Sequence, residues 1–89
     1  MLTDTRLRQL SRMYSRPLET IEDARLAIAA EPGVLASELF LEAAASDDVT
    51  SIEGAQEYLE ARLRELAELV GASASAVRAE FGEKVAAWG

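Results

Sequence analysis

A chain of 89 residues, 49% apolar with two prolines and five glycines, has the size and composition of one folded domain and excludes a multidomain enzyme. The absence of cysteine and histidine removes disulfides, thiolate nucleophiles, imidazole bases and the donors of most zinc, copper and haem sites. A formal charge of −7 repels nucleic acid and anionic membrane over most of the surface.

The apolar spacing is helical along nearly the whole chain and predicts an all-α, compact single-domain bundle of about five short helices, near 4–15, 18–31, 34–46, 51–70 and 73–88. In the first, Leu7, Leu10 and Tyr14 share a face. Pro17 ends it, because the residue before a proline avoids the helical region. Pro17 can also open the second helix, with Thr20 and Asp23 as an alternative, capping-box-like start. That helix carries Ile21, Ala24 and Ile28 on its apolar side and stops at the Pro32-Gly33 turn signal.

The third helix differs in kind. Leu35, Ala36, Leu39, Phe40, Leu41, Ala43 and Ala44 cover almost its whole circumference, leaving a narrow polar strip of Glu38 and Glu42. Such a helix is buried on several sides, at the centre of the domain or against a second protein. Thr50 and Glu53 form a capping-box pattern for the fourth helix. Its apolar stripe is Ile52, Ala55, Leu59, Leu63, Leu66 and Val70, with a Glu60–Arg64 pair on the polar side and Gly71 as the terminating residue. In the last helix Val77, Phe81, Val85 and Trp88 lie along one face.

Charge is unevenly distributed. Residues 1–18 hold four arginines and one acid, net +3; residues 19–60 hold one arginine and eleven acids, net −10; residues 61–89 are neutral. Arg8, Arg12 and Arg16 recur at four-residue intervals as a stripe suited to steering an acidic partner. The exposed part of Leu35, Phe40 or Leu41 would anchor that partner. The bland alternative is that the stripe is solvated or pairs with the acidic middle of its own chain.

Over residues 67–77, Ala67, Gly71 and Val77 resemble the core spacing of helix-turn-helix DNA-binding proteins. The resemblance implies that Ser73, Ser75 and Arg78 would face the duplex. Glu80 and Glu83 oppose that role, since affinity for DNA comes largely from neutralising phosphates. A third reading takes the acidic middle as an imitation of the DNA phosphate field.

Asp47, Asp48 and Glu53 lack the alternate spacing and central glycine of a calcium loop, and no glycine-rich phosphate loop is present. No metal, cofactor or catalytic residue is therefore expected. No apolar run approaches the roughly 18 residues of a membrane span, and charged residues interrupt the first fourteen positions where a signal-peptide core would lie. The expectation is a cytoplasmic, non-enzymatic regulator, inhibitor or adaptor that binds a protein by occlusion or bridging and is able to self-associate.

Overall fold

The computed structural model describes residues 4–88, which form five helices of ten to fourteen residues and one isolated helical turn. These are α1 (Asp4–Tyr14), α2 (Ile21–Ala30), α3 (Pro32–Ala45), α4 (Ile52–Glu65), the single turn α5 (Ala67–Val70) and α6 (Ala74–Ala86). A 3₁₀ turn, Gly71–Ser73, joins the last two, and no strand occurs among the described residues. The all-α bundle is the expected one. Its element boundaries differ from expectation in four places, each for a local reason.

Helix α2 starts at Ile21 rather than near Pro17. Thr20 accepts the Asp23 N–H while the Asp23 carboxylate accepts the Thr20 N–H, a complete capping box that fixes the first turn. Leu18 is thereby left outside the helix. It is buried in the connection, with its N–H on Ser11 Oγ at 2.9 Å.

Helix α3 starts at Pro32, before the expected Val34. Proline at the first helical position lacks an N–H that would have had no partner there. Pro32-Gly33 therefore opens a helix, and Glu31 alone makes the turn from α2. The cap of α4 is Ser51, whose hydroxyl accepts the Gly54 N–H at 3.0 Å, and not the Thr50–Glu53 pair.

The expected helix over 51–70 breaks at Leu66 (φ −100°, ψ 15°). The break divides its apolar stripe between two neighbours, since α4 packs on α3 whereas α5 packs on α2. Gly71 then takes φ +46°, a conformation open to glycine and strained for side chains.

Helix α3 occupies the centre, packed by α1, α2, α4 and, over the broadest contact, α6. Leu35, Ala36, Leu39 and Ala43 are buried there, together with Leu59 and Leu63 of α4 and Val77, Phe81 and Val85 of α6. The alanines at 24, 27, 36, 43 and 55 are fully buried and let helix backbones approach closely. Phe40 meets the rings of Phe81 and Trp88 edge-on, at centroid distances of 6.0 and 5.9 Å, and so ties the C-terminal residues to α3.

The expectation of self-association rests on the apolar circumference of α3, which is large for a domain of this size to cover. Four elements of its own chain cover it, leaving Leu41, Ala44 and Ala45 as its exposed apolar side chains. Ile21 and Ile52, assigned to core stripes from sequence, stand at the surface.

Two measurements check this packing. Phe81 is 1% exposed, and Phe81→Ala should lower stability by about 3–5 kcal/mol in urea unfolding. Thr20→Ala and Ser51→Ala should each cost about 1 kcal/mol, whereas Thr50→Ala should stay within about 0.5 kcal/mol of wild type; equal losses at Thr50 and Ser51 would contradict the observed cap.

Candidate functional site

A groove of about 600 Å³ lies where α1, α3 and α4 meet. Leu10 and Tyr14 point α1 into the core, which turns Gln9, Arg12 and Met13 toward one wall of the groove. The polar strip of α3, Glu38 and Glu42, forms the opposite lip above a floor that includes Leu35 and Leu39. Arg62 of α4 and Leu66 at the helix break close the end.

The end wall is tightly organised. Tyr58 donates its hydroxyl hydrogen to Glu42 Oε1 at 2.9 Å, and Arg62 Nε lies 3.4 Å from the same oxygen. Arg62 Nη1 donates to Glu65 Oε2 at 2.6 Å. The Arg62 side chain is 15% exposed, so its charge is shielded from water and held between two carboxylates. Burial and the bond to Glu42 both raise the Tyr58 pKa above its ordinary value. The cluster locks α4 to α3 with charge-assisted contacts and leaves Arg12 as the exposed cation of the groove.

The sequence candidates distribute unevenly over this geometry. Arg8 and Arg12 are exposed on α1 at helical spacing. Arg16 lies beyond the helix end and lines a separate, shallower depression with Leu18, Asp23 and Leu26, so the three arginines do not form one helical stripe. Among the described residues none of the three forms an ion pair with the acidic middle of the chain.

Leu35 is 2% exposed and contributes floor, while Phe40 is half-buried against α6. Leu41, at 62%, is the one member of that trio offered freely to solvent, on a strip of α3 turned away from the groove. Glu42, Tyr58 and Arg62 were not among the candidates. Glu42 was visible as part of the polar strip, and Arg62 lies four residues after Tyr58, but nothing local tells that both converge on a carboxylate of another helix.

The helix-turn-helix candidates also have definite places. Val77 is buried, as the resemblance requires, but Ala67 is exposed on the single turn α5 and not packed between two helices. Ser73 is half-buried in the 3₁₀ turn, and Ser75 and Arg78 are exposed. Arg78 engages Glu60 through two bonds, Nε to Oε2 at 2.8 Å and Nη2 to Oε1 at 2.9 Å. This fork displaces the expected Glu60–Arg64 pair and holds the Glu60 carboxyl below its usual range. Asp47, Asp48 and Glu53 do not converge into a metal-sized cluster among the described residues.

Comparison with known protein families, curated proteins and solved structures gives no match. No helix of the described residues is long and apolar enough to cross a membrane.

One titratable group beside the groove makes a measurable statement. Tyr14 donates its hydroxyl hydrogen to the Glu31 carbonyl at 3.1 Å. Burial pushes its pKa up from 10.0 to about 12, against the pull of the Leu35 backbone amide. The unfolded chain loses this proton near pH 10 and the folded chain keeps it to about pH 12. Stability is therefore intact below that window and falls as pH rises through it, by at most about 2–3 kcal/mol. Chemical denaturation from pH 9 to about pH 12 should show a steeper alkaline loss for wild type than for Tyr14→Phe; parallel curves would remove the assignment.

Proposed function

We propose that the chain is a non-enzymatic protein-binding module, a small acidic regulator, inhibitor or adaptor whose docking face is the groove between α1, α3 and α4. The observation that carries this reading is the juxtaposition, from separate parts of the sequence, of an exposed cation, Arg12, with a floor of leucines that includes Leu35 and Leu39. Shape and chemistry agree. A depression of mixed polar and apolar lining seats a partner's side chain, and an arginine at its rim selects a carboxylate beside that side chain.

The Arg62–Glu42–Tyr58 cluster supports the reading from behind. A wall pinned by short polar contacts loses little conformational freedom when a partner docks. Arg8 lies one turn from Arg12 on α1 and extends the cationic edge that faces an acidic segment, while Glu38 and Glu42 keep such a segment on the α1 side of the groove. The mechanism is occlusion or bridging, with binding in place of chemistry. The DNA-binding reading is not carried forward, because Arg78, the main cation of its recognition helix, is forked to Glu60 within the chain.

The test is capture of partners from native cell extract with nuclease treatment, using wild type, Arg12→Glu and Arg64→Glu. Both substitutions reverse one exposed arginine, so net charge is matched. A stoichiometric protein that survives nuclease should bind Arg12→Glu about tenfold more weakly and Arg64→Glu as wild type. Equal loss in both variants, or recovery of DNA in place of protein, would overturn the groove as the docking face.

A further inference from the structure

Helix α1 returns to the core through a turn that its sequence disfavours. Ser15 has φ +54°, and among the described residues it is the one non-glycine in that region. The turn is a Schellman motif, with Ser15 N–H donating to the Arg12 carbonyl at 3.3 Å and Arg16 N–H to the Ser11 carbonyl at 3.1 Å. Glycine is usual at the position Ser15 occupies, because a Cβ there meets the backbone. Ser15, Arg16 and Pro17 are all exposed and lie between two buried anchors, Tyr14 and Leu18. A short, strained, exposed hinge beside a helix that docks as a unit is the arrangement that favours exchange of that helix between copies.

We infer that α1 exchanges between two copies of this chain, each copy's α1 taking the seat on α2 and α3 of the other. The seat is self-complementary by construction. The sockets of Leu10 and Tyr14, the Tyr14–Glu31 bond and the Ser11–Leu18 bond all recur across the copies, so the change is confined to the hinge. There Ser15 leaves the left-handed region, the backbone bonds of Ser15 N–H and Arg16 N–H pass to water, and Pro17 holds Arg16 extended, which directs the chain outward. The opened segment of three residues reaches about 10 Å. Each copy carries net −7, so encounter of two copies works against charge repulsion; the attraction between residues 1–18, net +3, and residues 19–60, net −10, acts on the seating of α1 and is the same within one copy or across two.

The experiment refolds wild type, Ser15→Gly and Ser15→Val from denaturant at about 10 µM and about 1 mM, followed by light scattering and hydrogen exchange. Wild type should give a dimer whose fraction rises with refolding concentration and which decays only slowly on dilution, because exchange requires α1 to undock. Ser15→Gly, which tolerates the turn, should lower the dimer fraction about fivefold. Ser15→Val, a β-branched residue excluded from this region, should raise it while the α1 amides stay protected. A wild type that stays monomeric at both concentrations overturns the inference, as do dimer fractions equal in wild type and Ser15→Gly. A dimer that forms and dissociates within seconds without refolding is a surface contact and overturns it as well. If Ser15→Val does not fold, the comparison of wild type with Ser15→Gly decides.

Discussion

Helix α3 presents apolar side chains around almost its whole circumference, and hiding them is the requirement that every other element serves. A helix of this kind in water exposes far more apolar surface than one neighbour can cover. The domain meets the requirement by wrapping α1, α2, α4 and α6 around it. Small residues decide how closely they wrap. Ala36 and Ala43 on α3, and Ala55 on α4, bring backbones together where a larger side chain would hold them apart. On the α6 side, where α3 makes its broadest contact, Phe81 is buried, with Phe40 set edge-on between it and Trp88.

The same wrapping sets where polar groups go. Among the described residues no charged side chain is buried, and no buried side-chain polar atom lacks a hydrogen-bond partner. Charges therefore sit at seams between helices, where they are partly screened and pair across elements. Arg62 with Glu42 and Glu65 closes the α3–α4 seam, and Arg78 with Glu60 closes the α4–α6 seam. The exposed Arg78–Glu60 pair adds little stability by itself, whereas Arg62 is shielded from water. The effect of both is on register, because a forked guanidinium accepts its carboxylate in few orientations. The groove lies where the seam between α3 and α4 meets α1.

Two backbone interruptions give the bundle its shape. At Leu66 the chain changes direction so that Leu69 and Val70 reach α2 while Leu59 and Leu63 remain on α3. One straight helix could not serve both neighbours. At Ser15 the chain reverses with a residue poorly suited to the conformation, and the buried side chains on either side, Tyr14 and Leu18, hold it there. Leu66 is thus stabilised by its own burial, whereas Ser15 is stabilised wholly by its neighbours. That difference is why the N-terminal turn, and not the break at Leu66, is the place where the fold opens.

Helical periodicity and the turn residues Pro17 and Gly71 sufficed to determine an all-α bundle, because these depend on spacing along one chain segment, while the all-round apolarity of α3 required burial and left open whether its own domain or a second protein supplied it. Local chemistry was less decisive where two signals competed. Thr50–Glu53 and Thr20–Asp23 look alike as caps, yet only the second forms, since Ser51 takes the position that the start of α4 requires. The tertiary structure alone decided the site. It sent Arg16 away from Arg8 and Arg12, consumed Arg78 in a fork to Glu60, placed Leu35 at a groove floor and joined Glu42, Tyr58 and Arg62 into one wall. Each of these is a relation between helices distant in sequence, fixed by which faces pack together, and spacing within a single helix carries no information about it.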